Sequence, residues 1–220
     1  MGGINTSVVT LDWAMAEILS NPRVLKKLQE ESEGVVGKER MVGVEDLPRL
    51  PYMKAVMKET LRKHPPGPLL MPHCSTEDCE VSVEEEGGAE ETYTLPKGTT
   101  MLVNAWAIGN DPATWDEPEA FMPERFLAPA RAHVDVRGQH FEVLPFGSGR
   151  RICPAMGLAL VMVESVVASL AHCFEWAVPC NAGDMAEKYG LTVSRRAPLL
   201  AVPVAFRLSK TFDKQTCHNY

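Results

Sequence analysis

Cys153 is the residue whose surroundings carry the most chemistry. It lies in the run Pro145-Phe146-Gly147-Ser148-Gly149-Arg150-Arg151-Ile152-Cys153-Pro154-Ala155-Met156-Gly157, where a glycine-rich, doubly basic loop turns into a long apolar stretch. Pro154 suits the first position of a helix, because its missing N–H would have gone unpaired there anyway. The sequence therefore predicts Cys153 at a helix cap, where unpaired backbone N–H groups and the positive helix end favour thiolate over thiol. Gly147 and Gly149 lack a Cβ, so the backbone there can lie against a flat ligand. Arg150 and Arg151 offer permanently charged donors for carboxylates. A soft anionic sulfur, a flat wall and basic groups together suit haem held by one axial thiolate. Taken alone, the same cysteine also fits an N-cap in front of a core helix.

The elements that must position this loop are legible from apolar spacing. Ile4, Val8, Leu11, Met15 and Ile18 recur at steps of four and three and predict a helix over residues 4–19, with Thr6 as its simplest N-cap. Ser20-Asn21-Pro22 ends that helix and caps a second one from Arg23 to about Ser32. Leu47-Pro48-Arg49-Leu50-Pro51-Tyr52 leads into a third helix, which Pro65-Pro66 stops after Lys63-His64. Glu59 and Arg62 lie one turn apart on it; by spacing alone they form a surface ion pair worth a few tenths of a kcal/mol. Pro65 to His73 reads as extended. Residues 84–91 form an acidic, glycine-containing, solvated loop between two short strands. Tyr93 to Val103 reads as strand, Pro96-Lys97-Gly98 turn, strand, and Leu191-Thr192-Val193 and Ala201-Val202-Pro203-Val204 read as further strands.

The chain has 220 residues, 45% of them apolar and 23% charged, and a net charge of −7. That balance fits a globular domain and argues against nucleic acid, since no basic stripe interleaves with aromatics. Its six cysteines lack paired C-x-x-C spacing and read as reduced thiols in a cytosol-facing protein, with structural zinc disfavoured. Residues 1–5 lack the basic and apolar segments of a signal peptide. Ile152 to Phe174 is long enough to cross a bilayer, but Glu164 at its middle makes insertion costly, so a fully buried core helix is predicted.

PFGSGRRICPAMG resembles the haem-binding loop F-x-x-G-x-R-x-C-x-G of the cytochromes P450. Phe146, Gly149, Arg151 and Cys153 match in spacing, and Ala155 stands where the last glycine falls. Gly2-Gly3-Ile4-Asn5-Thr6-Ser7 is similar to the family's central helix motif beside the oxygen side of the haem. Lys58-Glu59-Thr60-Leu61-Arg62 resembles its E-x-x-R signature, and Pro123-Glu124-Arg125-Phe126 its P-E-R-F element. The resemblance runs from residue 2 to about 208, and the region around Cys153 looks closest to plant microsomal members that oxidise flavonoids.

The resemblance implies a mainly α fold with small β-sheets, the C-terminal part of the family fold, as a single partial domain over residues 1–220 with 209–220 as a disordered tail. It implies haem b with Cys153 as axial ligand, contacted by Phe146, Gly147, Arg151, Ala159 and, through a propionate, His73. Thr6 is expected to deliver protons on the oxygen side; Asn5 stands where many members carry an acid and orders water instead. Glu59, Arg62 and Arg125 are expected as a buried structural triad, and the turn near Gly190-Leu191 as a pocket wall. The implied reaction is monooxygenation of a small apolar, flavonoid-like substrate by O2. Electrons would come from an NADPH-dependent reductase at the cytosolic face of the endoplasmic reticulum, with the membrane anchor missing from this chain. Two alternatives stand beside it: a haem-thiolate isomerase or dehydratase needing no external electrons, and a truncated remnant that holds no haem.

Overall fold

Apolar side chains from four helices meet in the main core of the computed structural model, which describes residues 2–84, 90–177 and 184–208. The helices are α1 (Gly2–Ser20), α2 (Pro22–Val36), α3 (Pro51–Lys63) and α5 (Met156–Cys173), with a short α4 (Ala105–Gly109) outside this core. Ile18, Val24, Leu28, Val56 and Val167 are fully buried where they meet. A second cluster joins Trp115, Phe126, Val134 and Val143 to Leu160 of α5, and Phe146 and Met156 pack against it. The cysteine loop is therefore anchored to the core at both ends.

Among the described residues the β structure consists of four separate two-stranded antiparallel sheets. β1 (His73–Cys74) pairs with β4 (Thr100–Met101), and β2 (Cys79–Glu84) with β3 (Glu90–Leu95). β5 (Phe174–Ala177) pairs with β8 (Val202–Phe206), and β6 (Glu187–Lys188) with β7 (Ser194–Arg195). Gly98 takes φ +85 in the turn before β4, a conformation open to glycine at no steric cost.

Several expectations need correction. α2 runs on to Val36: Gly34 does not break it, because Val35 and Val36 pack against the core and Gly37, at φ +75, ends it. Asn21 does not cap α2 with its side chain but donates from Nδ2 to the Glu17 carbonyl at 2.8 Å, closing the end of α1. Leu191 and Thr192 form bends, Val193 has no regular structure, and the strand follows at Ser194–Arg195. Pro65 to His73 is turned as well as extended, with Leu70 at φ 52 and its N–H on the Gly67 carbonyl at 3.0 Å. α5 is not fully buried. Leu160, Val163, Val167 and Ala171 face the core, whereas Leu158, Val161, Met162 and Val166 are exposed, since α1, α2 and the turn at Val44–Arg49 pack on one side of it only. It is long and apolar enough to cross a membrane by length and composition. Residues 85–89 of the acidic loop, Cys180 and the tail 209–220 lie outside the described residues.

α3 is held by a distant carboxylate. Its first turn lacks a capping side chain of its own, and Glu31 of α2 instead accepts the backbone N–H groups of Tyr52 and Met53 at 2.6 and 2.9 Å. Anionic oxygens at a helix start satisfy unpaired donors and meet the positive end of the helix dipole.

Candidate functional site

The cysteine loop is built by its glycines. Gly147 and Gly149 take φ +73 and +65, a region closed to most side chains, and between them the chain reverses so that the Cys153 N–H reaches the Phe146 carbonyl at 3.0 Å. A short 3-10 turn over Gly149–Arg151 fills the loop. Behind it, Ser148 donates from Oγ to the Gly138 carbonyl at 2.6 Å, and Gly138, at φ +77, lets two backbones meet. A Cβ on Gly138 would stand 2.8 Å from the Gly147 carbonyl oxygen, whereas one on Gly149 would meet nothing within 4 Å.

Cys153 does not cap a helix. α5 begins at Met156 with Ala155 before it at φ −92 and ψ 8, and Pro154 lies in the intervening turn. The first bonds of that turn run from the Met156 N–H to the Cys153 carbonyl and from the Ala159 N–H to Ala155. Ala155 thus needs none of glycine's conformational freedom. The Cys153 thiol is half-buried and free, and Phe146 rests against the second apolar cluster. Arg150 and Arg151 are exposed. A half-buried thiol with no bond to its sulfur among the described residues, at the rim of a loop with open space over Gly149, fits a flat ligand bearing a soft metal.

Two other expected elements approach this loop. Leu70 brings its Cδ1 to 3.7 Å from where a Gly147 side chain would begin, placing the 65–73 turn against the cysteine loop. The Trp106 N–H bonds to Pro68 at 3.2 Å and holds the turn from the other side. His73 follows, exposed, in β1 opposite Met101. α1 packs on α5, which leaves the loop, so the helix of Asn5 and Thr6 is joined to Cys153 through one intermediary. Thr6 is no N-cap: it lies inside α1 and donates from Oγ1 to the Gly2 carbonyl at 2.6 Å, while Asn5 is exposed. Ala159 is half-buried in the first turn of α5.

The Glu59–Arg62 pair is no surface pair. Both side chains are fully buried, and Arg125 completes the group with its Nε 3.1 Å from Glu59 Oε1. The Met122 N–H reaches the same carboxylate at 2.9 Å.

A further buried polar group escapes sequence reasoning. Glu17 of α1 takes Lys63 Nζ at 2.8 Å and His64 Nε2 at 2.7 Å, and the His64 ring stacks on Trp13 with centroids 4.0 Å apart. Burial pushes Glu17 up, but hydrogen bonds from His64 and Lys63 outweigh it and leave the carboxyl below its usual range. Burial pushes His64 below its usual value despite the Glu17 bond. Glu17 and His64 lie 47 positions apart. The one local signal was a carboxylate in the apolar stretch of the first helix.

Among known proteins, the family model for cytochrome P450 matches residues 1–200. A flavonoid 3'-monooxygenase of Crocosmia x crocosmiiflora is 44% identical over 207 residues, 92% of this chain and 39% of that protein. A dimethylnonatriene synthase of Zea mays is 51% identical over 206 residues, 91% of this chain and 37% of its own length. A solved zebra fish cytochrome P450 with abiraterone superposes with a TM-score of 0.75 at 33% identity, covering 92% of this chain and 44% of that one. The chain thus spans about two fifths of the length of the curated relatives it matches.

Proposed function

The chain belongs to the cytochrome P450 family, and from that premise we propose that it carries the haem-ligating part of a plant-type monooxygenase. The observation that carries this reading is the loop from Phe146 to Cys153, which two left-handed glycines fold so that a free sulfur stands at its rim. Cys153 would hold the haem iron through its thiolate. Phe146 and Gly147 would form the wall against the ring, with Ala159 near it at the start of α5. Arg151 and His73, both exposed and able to donate, would hold the propionates. Haem b held there would supply oxygen activation, which a thiolate ligand favours by donating electron density.

The chain's own residues supply proton handling and enclosure. The Thr6 hydroxyl, already donating to the Gly2 carbonyl, keeps its lone pairs for a water and would pass a proton through Oγ1. Asn5 orients that water through its amide and has no proton of its own to give. Leu69, Leu70 and Met71 would form an apolar wall for a small substrate. Two of the relatives are named for flavonoid oxidation and another for making dimethylnonatriene, so the supported class is a small apolar molecule, with a flavonoid as one member. Electrons would come from an NADPH-dependent reductase at the cytosolic face of the endoplasmic reticulum.

The test is a haem titration of the 220-residue chain followed by the absorption spectrum of the reduced, carbon-monoxide-bound form. Wild type should give the red-shifted band of thiolate ligation and Cys153→Ser should not; equal spectra would overturn the assignment. A second reading has one observation in its favour. Ile4 is 77% and Leu158 70% exposed, apolar surface that favours a chain unable to hold haem by itself, and it predicts no saturable haem binding.

A further inference from the structure

The stacked pair of Trp13 and His64 sits where three elements of the proposed pocket converge. Trp13 donates from Nε1 to the Val193 carbonyl at 3.0 Å, and the Val193 N–H bonds to the Pro66 carbonyl at 3.0 Å. His64, at the end of α3, reaches back to Glu17 of α1 at 2.7 Å. Hydrogen bonds through Trp13 and Val193 therefore join α1 to the 65–73 turn, and the imidazole stacks on that Trp13 while tying the end of α3 to Glu17.

The proton on that imidazole can be placed. Glu17 Oε1 takes Lys63 Nζ as well as His64 Nε2, and Asn21 Nδ2 lies 3.3 Å from its other oxygen. A carboxylate balanced in this way accepts, so His64 Nε2 carries the hydrogen and the neutral ring leaves its lone pair on Nδ1. That atom is buried and has no partner among the described residues. Protonation would turn it into a charged N–H facing no acceptor, which is costlier than a bare lone pair. The face of Trp13 attracts an imidazolium but gives Nδ1–H nothing to bond to.

We propose that His64 is a positioning residue: as the neutral Nε2–H tautomer it locks the end of α3 to Glu17 of α1 and holds Trp13 in place for its bond to Val193, and a proton on Nδ1 releases the lock. The charged groups acting on the ring are Glu17 of α1, Lys63 beside it and Glu187 of β6. Asp12 of α1 pairs with Arg195 of β7 at 3.8 Å, next to Trp13 in the chain. Burial shifts His64 downward, so release falls on the acid side of the ordinary histidine range, near pH ~6.5. The lock's bearing on a pocket rests on the proposed function; the lock itself does not.

Tryptophan emission of the 220-residue chain, titrated from pH 8 to pH 4, tests it, because an indole released from the stack and opened to water emits further to the red. Wild type should shift its emission to the red in one step with its midpoint below ~6.5. Trp13→Phe should abolish the step. His64→Gln, whose amide can still donate to Glu17 but cannot titrate, should abolish it too, with an unchanged circular dichroism spectrum at pH 8. Glu17→Gln removes the charge that favours imidazolium and should move the midpoint to lower pH, a second handle should His64→Gln fold poorly. A step that survives in His64→Gln, or a midpoint at or above the ordinary histidine value, would overturn the lock. In haem-loaded protein, the pH at which the Cys153-dependent band is lost should shift in His64→Gln. An emission step in a chain that binds no haem would leave the lock standing and bring down the proposed function alone.

Discussion

Arg62 faces Glu59 from one helical turn further along α3, Nε to Oε2 at 2.8 Å and a terminal nitrogen to Oε1 at 3.0 Å, with neither side chain exposed at all. The remaining donors of Arg62 go to the Gly109 and Pro118 carbonyls at 2.6 and 2.8 Å. One ion pair thus ties the helix to α4 and to the irregular segment before Pro123.

Removing one partner strands the other. Glu59→Ala leaves Arg62 and Arg125 without their common carboxylate and should cost about 3–5 kcal/mol, the usual penalty for an uncompensated buried charge. Urea unfolding followed by circular dichroism measures it. A loss under ~1 kcal/mol would mean that the pair is wet and worth no more than an exposed one.

Gly138 and Gly149 separate backbone strain from crowding. Both have positive φ, so alanine at either costs about 1–2 kcal/mol for the left-handed backbone. Gly138→Ala adds a methyl against the Gly147 carbonyl and should cost roughly 1–3 kcal/mol more. Gly149→Ala meets open space, yet it should weaken haem binding more than its modest stability loss explains. Thermal melts and haem titrations of the two variants make the comparison.

Glu31 is the cap of a helix to which it does not belong. Replacing it with alanine should cost about 1–2 kcal/mol, as for loss of a good N-cap. Amide exchange should show the loss first at Tyr52 and Met53, where the two N–H groups lose their acceptor.

Acid should unfold the chain through its paired carboxylates. Burial raises Glu124, but bonds from Lys27, Tyr52 and Arg23 hold it at about 2. Bonds to Arg40 place Asp46 well below the usual carboxylate range, and Glu17 is lowered as well. The unfolded chain binds more protons than the folded one between the ordinary carboxylate values, ~4, and these lowered ones, so the contribution of these carboxylates is intact above that window and falls as pH drops through it. Urea midpoints at pH 7 and pH 3 should differ less in Glu124→Gln than in wild type.

What the sequence disclosed depended on how local each feature was. The E-x-x-R spacing and the P-E-R-F element were visible as strings, so the triad could be expected before any coordinate, although spacing alone left it on the surface. Helix α3 was legible because prolines bracket it. The start of α5 was not, because proline tolerates the preceding turn as well as the first helical position, and packing of Met156 against the second apolar cluster decides between them. The Glu17–His64 contact joins residues from different helices, and no periodicity within either helix announces it. The roles of Thr6 and His73 rest on resemblance. The structure puts one within a helix and the other on an exposed strand.

Every strand has a single strand neighbour among the described residues, so half of its amides point away from the paired strand. On transfer to heavy water those outward groups should pick up deuterium almost at once. Protons that persist for hours would then trace the helices at the centre, and an isotope map of this chain would be a drawing of α1, α3 and α5 with hardly a ladder in it.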